Sequence, residues 1–263
     1  MSNRDAKRAL ETGKVYLRDT PTADASREVD AADVSVRANA PRIRVGSDPV
    51  IVFRDDHLAV VFKPSGLLSV PAASKRGVPT LIGEMSRMLG GAHAVHRLDE
   101  PTSGLMLVAR TTPCQAALKQ LFLVHAIERH YLALVWGYPG SEPITVSNQL
   151  VRDRGDGKRG SGNGPDAKPA TTYLRAIERV GRAHALVQAR LETGRTHQAR
   201  IHLSELGHPV VGDPLYDTSR KASGRLALHA AHIGFRHPVS GADLSFTSPL
   251  PDDLERLRRR LAS

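Results

Sequence analysis

The chain has 263 residues, with 37 Lys and Arg against 27 Asp and Glu and a formal net charge of +10. That length accommodates one sizeable core plus a small appendage rather than several full domains, and the cation excess favours polyanionic partners, because Lys and Arg that neutralise phosphates release condensed counterions. Cys114 is the single cysteine, which excludes an intrachain disulfide and points to a reducing compartment, while the charged chain start and the lack of any apolar run near the roughly 18 residues of a membrane span argue against export or membrane insertion.

Residues 4–10 read as a helix stopped by Gly13, residues 15–17 as a strand leading to a turn at 19–21, and residues 34–36 as a closing strand. A unit of under about 40 residues holds little core alone, so it either docks on the rest of the chain or is a loosely ordered extension. The domain reading is therefore a small unit over 1–37, a linker over 38–47 and one main domain over 48–263. The main domain opens with strand signals at 50–53 and 58–62, separated by the turn-prone Arg54-Asp55-Asp56. Thr112 suits a helix N-cap, Pro113 the first helical position and Gln115 the capping-box position, which makes Cys114 a helix residue without chemistry. Further strands are expected at 131–136, 171–177, 183–191 and 226–230. Residues 196–206 predict a helix ended by Gly207, with Ala199, Leu203 and Leu206 on one face. Residues 152–167 are rich in Gly, Lys, Arg and Asp, and read as a solvated loop or as a basic flap that orders on RNA. The closing helix at 251–261 carries Asp252 and Asp253 at its start, three arginines near its end, and Leu254, Leu257 and Leu261 on its docking face. Strands dominate without a βαβ rhythm, so the fold class is α+β around a largely antiparallel sheet.

Chemistry concentrates in His96-Arg97-Leu98-Asp99-Glu100-Pro101-Thr102-Ser103-Gly104, between strand-like segments at 92–95 and 105–108. A carboxylate on a short loop held at both ends by core strands is fixed in space, as covalent or acid–base catalysis requires, and Asp99 is that carboxylate. Alone, a loop aspartate followed by Thr and Ser more often forms a local turn.

This string, with Leu105, resembles the catalytic motif of the RluA-type pseudouridine synthases. Three further segments resemble that family's motifs in the expected order: Lys63-Pro64-Ser65-Gly66-Leu67, Arg129-His130-Tyr131-Leu132-Ala133, and Gly194-Arg195-Thr196-His197-Gln198-Ala199-Arg200-Ile201-His202. Gly212-Asp213 and Leu228-His229-Ala230 continue the likeness to the C-terminus. The resemblance implies the pseudouridine synthase fold, a mixed and largely antiparallel sheet with flanking helices and loops around a central cleft. It also implies an isomerase that converts uridine to pseudouridine in structured rRNA or tRNA by base flipping, without cofactor or metal, as a cytoplasmic monomer. By the same resemblance Asp99 is the catalyst, Tyr131 the active-site tyrosine, Arg195 the arginine that pairs with Asp99, and Arg97 the side chain that fills the vacated base stack. Lys63 supports the loops or binds RNA phosphate. The first residues resemble the later part of a small RNA-binding domain shared by a ribosomal protein and RNA-modifying enzymes, with Arg4, Lys7, Arg8 and Lys14 as RNA contacts. Ala199 and Phe62 depart from the family's usual residues.

Two other classes compete. A metal-dependent hydrolase would use His96, His197, His202 and Asp99, but His197 and His202 are five apart on the expected helix, where a shared face needs three or four, and no His-Glu-x-x-His string occurs. A non-catalytic RNA-binding protein would fit the charge but leave Asp99, Tyr131 and Arg195 without a purpose.

Overall fold

The computed structural model describes residues 49–75, 77–217 and 224–263, together with strand residues 15–17, 20–21 and 34–36. The N-terminal strands β1 (Val15–Leu17), β2 (Thr20–Pro21) and β3 (Val34–Val36) form an antiparallel sheet in the order β2-β1-β3. Thr20 and Pro21, expected within a turn, instead pair with Leu17 and Tyr16. The expected helix at 4–10, the linker at 38–47 and Arg4, Lys7, Arg8 and Lys14 lie outside the described residues.

Eleven further strands form one sheet among the described residues. They are β4 (Val50–Arg54), β5 (Leu58–Lys63), β6 (His93–Ala94), β7 (Ser103–Ala109), β8 (Glu128–Trp136), β9 (Ile144–Val151), β10 (Gly160–Ser161), β11 (Lys168–Val180), β12 (His184–Leu191), β13 (Leu228–Arg236) and β14 (Asp243–Thr247). The order is β10-β9-β11-β12-β8-β13-β7-β5-β4, with β14 on β13 and β6 on β7. Every pairing is antiparallel except β13 with β7, where His229 and Ala230 lie beside Ser103 and Gly104. The sheet is thus the mixed, largely antiparallel one expected.

Four helices complete the described residues: α1 (Leu81–Leu89), α2 (Thr112–Leu123), α3 (Gln198–Glu205) and α4 (Asp252–Ala262). Strands β5 and β7 are buried along their whole length, so their alternating side chains serve two cores. Ala59, Val61, Met106 and Val108 face one core, which also takes Leu81, Met85 and Leu89 of α1 and Leu254 of α4. Leu58, Val60, Leu105 and Leu107 face the other, with Cys114 and Leu118 of α2. The cap of α2 is Thr111 rather than Thr112, because it is the Thr111 hydroxyl that accepts the Cys114 N–H; Gln115 Nε2 donates to Ala94 O instead of closing a capping box. Helix α3 starts at Gln198, two residues later than expected, since His197 takes a left-handed backbone. Ala199 and Leu203 join the core as expected, whereas Leu206 caps the helix and is largely exposed.

Residues 152–167 form a built hairpin rather than a loose loop. Asp153 Oδ1 accepts the N–H groups of Gly155 and Gly157, and Arg154 N–H donates to Lys158 O. Ser161 donates its backbone N–H and its hydroxyl to the Glu205 carboxylate at the end of α3. Local polar bonds supply the order that the missing apolar residues could not.

The parallel junction of β7 and β13 sets the position of the Asp99 loop. Gly104 has φ +124°, and a Cβ there would lie 2.2 Å from Ala230 O. Gly104→Ala is therefore expected to force the two strands apart and to cost about 3 kcal/mol or more, combining backbone strain with lost packing. Thermal unfolding checks this: an unchanged midpoint would show that the strands do not need this close approach.

Candidate active site

The loop after β6 is bound from beneath by the segment after β5. Ser69 Oγ donates to Leu98 O and accepts the Leu98 N–H, at 2.7 and 3.0 Å, and Gly66 N–H donates to Glu100 O at 2.8 Å. Lys63 completes this support. It is fully buried, and its ammonium donates to the carbonyls of Pro64, Leu67 and Glu100 at 2.8–3.0 Å. Burial pulls its pKa down to about 7, against the attraction of Asp99 and Glu100. Lys63 is thus no RNA contact: its three donors are spent inside the protein, and it joins the two loops that shape the site.

The loop after β6 lines a cavity of about 470 Å³ that brings together Arg97, Asp99, Tyr131 and Arg195 with His197 and Arg200. Arg97 is exposed at this cavity, Asp99 is mostly buried in it, and Tyr131 forms part of its wall from the central strand β8. Tyr131 sits between Ala189 of β12 and Ala230 of β13, small neighbours that leave its ring room at the sheet surface. Burial raises the phenol pKa; Arg129 opposes the rise and Asp99 adds to it.

The arginine on Asp99 is Arg200 and not Arg195. Arg200 Nη1 lies 3.2 Å from Asp99 Oδ2, and its Nε and Nη2 donate to the two carboxylate oxygens of Asp213 at 2.7 and 2.8 Å. This is a buried Asp–Arg–Asp chain, with the bidentate end deep in the protein and the single contact facing the cavity. Asp213 also accepts the Leu215 and Tyr216 N–H groups. Burial works to raise the Asp213 pKa, but these bonds and the Arg200 charge hold the carboxyl below the usual carboxylate range. Arg195 is turned aside by the bend before α3. Its backbone N–H donates to Gln198 Oε1 and its Nε to Pro169 O, while Arg200 lies on α3, beyond the left-handed His197.

Two further groups belong to the site: Arg129, which the sequence presents only as part of a motif, and His197, a candidate there only as a metal ligand. Arg129, a buried side chain in the cavity wall, donates through Nη2 to Glu192 O at 3.1 Å, and a Cβ on Gly194 would lie 2.7 Å from its Nη1, so a larger residue there would have to shift the guanidinium. His197 Nδ1 lies 2.9 Å from Tyr216 Oη and its Nε2 3.8 Å from Asp99 Oδ2; burial lowers its pKa, against the pull of Asp99.

The remaining histidines of the metal reading are committed elsewhere. His202 bonds Thr172 Oγ1 and Asn148 Oδ1 through its two ring nitrogens, and His96 Nε2 accepts the Leu107 N–H at 2.9 Å. Accepting that bond requires a neutral ring, and burial accordingly holds the His96 pKa at about 3. Between pH 6.5 and about 3 the unfolded chain binds a proton that the folded chain refuses, so stability is lost as pH falls through that window, by at most about 5 kcal/mol. His96→Asn keeps an acceptor without titrating. It should flatten the fall in thermal midpoint below pH 6.5, and an acid limb as steep as wild type would contradict the assignment.

Residues 57–205 match the RNA pseudouridylate synthase family. The chain is 40% identical over 237 residues to the ribosomal large subunit pseudouridine synthase D of Zymomonas mobilis, a match covering 80% of this chain and 72% of that protein. It is 36% identical over 202 residues to the dual-specificity RNA pseudouridine synthase RluA of Escherichia coli K12, covering 76% of this chain and 92% of the relative. Among solved structures, human RNA pseudouridylate synthase domain containing 1 superposes with a TM-score of 0.65 at 26% identity, over 82% of this chain and 96% of that one. Human RNA pseudouridylate synthase domain containing 4 gives 0.66 at 24%, over 80% and 93%.

Proposed function

The chain belongs to the RNA pseudouridylate synthase family and is an isomerase of RNA uridine, and on that premise we propose that Asp99 is its catalyst and structured RNA, above all large-subunit ribosomal RNA, its substrate. Conversion of uridine to pseudouridine breaks the N1–C1′ bond, turns the uracil and joins C5 to C1′, after which the C5 proton leaves and N1 gains one. The reaction needs a group beside the sugar and a chamber that retains the detached base. The observation that carries the reading is the Asp99 carboxylate in a cavity of about 470 Å³, held by a guanidinium that is itself clamped by a second carboxylate.

A stacked uridine hides the atoms that react, so the nucleotide must be extruded at a cost of roughly a few kcal/mol. Arg97, exposed at the cavity, is suited to occupy the vacated stack with its guanidinium plane. Tyr131 faces the base, and Arg129 in the cavity wall supplies a fixed positive charge. We assign residues 1–37 to RNA docking, 38–47 to a linker and 48–263 to catalysis, in a chain that works as a monomer in a reducing, cytoplasmic setting. No helix among the described residues is long and apolar enough to cross a membrane.

Ribosomal RNA and transfer RNA from cells lacking this gene, each incubated with the protein and a chelator and then mapped for pseudouridine, test the reading. New pseudouridine in ribosomal RNA supports it. Modification of transfer RNA alone would transfer the assignment to that substrate, and no product on either would refute it.

A further inference from the structure

A second cavity of about 250 Å³ opens beside the first, and it is lined by Arg152, Arg159, Lys168 and Arg195 with a single carboxylate, Asp166. Gly194 and Arg195 line both cavities, so the two adjoin across one stretch of backbone. The carboxylate is engaged locally, because Asp166 Oδ2 accepts the Arg152 N–H at 3.0 Å. The cations stand on built backbone: Arg152 and Arg159 flank the hairpin that Asp153 folds and Glu205 anchors, Lys168 begins β11, and Arg195 is tethered by Nε to Pro169 O. No aromatic side chain lines this cavity, so nothing there would stack a base. The field of Arg159 also reaches His197 beside Asp99, where it helps to lower the imidazole pKa.

We propose that this cavity is a phosphodiester subsite, which takes a backbone phosphate of the RNA strand adjacent to the nucleotide whose base enters the Asp99 cavity. The inference rests on the RNA-isomerase reading and deepens it. Four cations around a small polar hollow suit a singly charged phosphodiester, and guanidinium groups can address its two free oxygens together. A phosphate held there would fix the register of the strand, so the correct uridine, and not its neighbour, stands over Asp99. It also gives Arg195 a task other than the one its sequence neighbourhood suggests.

The test combines protein variants with single neutral linkages in the RNA. An oligoribonucleotide substrate is prepared with one methylphosphonate at each position around the target uridine, and wild type is compared with Arg159→Gln/Lys168→Gln. Wild type should lose about ten-fold in kcat/KM at one linkage next to the uridine, and the salt slope of binding should fall by about one in the double variant, as loss of a single phosphate contact requires. On all-phosphate RNA the double variant should lose a similar factor, in KM rather than kcat, and should lose nothing more from the replacement at that linkage while remaining sensitive at the others. Lys168→Gln alone, at an exposed position, should show the same pattern at smaller size, which guards against a misfolded double variant. Losses that simply multiply at every linkage, or variants that bind and turn over as wild type, would overturn the proposal. Direct binding of the same oligonucleotides reads the subsite even if wild type forms no product, an outcome that would count against the isomerase reading alone.

Discussion

Asp99→Asn is expected to reduce pseudouridine formation by more than about 10³-fold while leaving the fold and most of the RNA affinity in place. The asparagine has the shape of aspartate but neither its charge nor its basicity, so whatever step Asp99 performs on the sugar or base is lost. The fold should tolerate the change for a specific reason. Arg200 keeps both of its bonds to Asp213, and the loop is held by Lys63, Ser69 and Gly66 through backbone atoms that the substitution does not touch. Single-turnover rates at saturating enzyme, with a thermal melt and a binding curve on the same preparation, separate these quantities. Turnover within about ten-fold of wild type would remove Asp99 from the chemistry. A collapse of the melt would instead mean that the Arg200 contact is needed for folding.

The sequence made the strands of the site legible because they are short, continuous and apolar. Residues 58–62 and 105–108 lie on β5 and β7, and the loop between β6 and β7 carries Asp99 where the motif suggested. Helix α1 went unread although its signals are present: Thr80 caps it through Gly83 N–H, Leu81, Met85 and Leu89 recur every four residues, and Gly90 ends it in a left-handed turn. Strand β9 was missed for the opposite reason, since only four of the eight residues of Ile-Thr-Val-Ser-Asn-Gln-Leu-Val are apolar and its order comes from pairing with β11.

The misassigned arginine is more instructive. Arg195 and Arg200 occupy one motif, and spacing alone cannot say which of them turns inward across the left-handed His197. A usable signal did exist. Arg200 is in the middle of a helix that has no acidic residue three or four positions away, so if buried its charge had to be met from another element, and Gly212-Asp213 offered a carboxylate at the next turn of chain. Lys63 follows the same logic: a lysine directly after five apolar residues of a buried strand had to find acceptors inside.

Asp213→Asn should be nearly as damaging to turnover as loss of Asp99 itself, although Asp213 lies behind Arg200 and away from the cavity. The asparagine amide would keep one acceptor but turn its NH2 toward an Arg200 donor, leaving the buried guanidinium with Asp99 as its one charged partner; breaking a buried pair in this way costs about 3–5 kcal/mol. Arg200 would then swing or draw Asp99 toward itself, and kcat should fall by about 10²-fold or more with little change in KM. A structural explanation alone would predict that activity follows stability. The variant Asp213→Asn/Arg200→Met separates the two, because removing both charges relieves the unpaired cation and should recover part of the lost stability, whereas Asp99 then has no arginine to orient it. The expected result is a protein that melts later than the single variant and turns over no faster. If activity returned together with the melting temperature, Arg200 would be a strut of the fold, and the orientation of Asp99 would have to come from His197 or from the loop backbone.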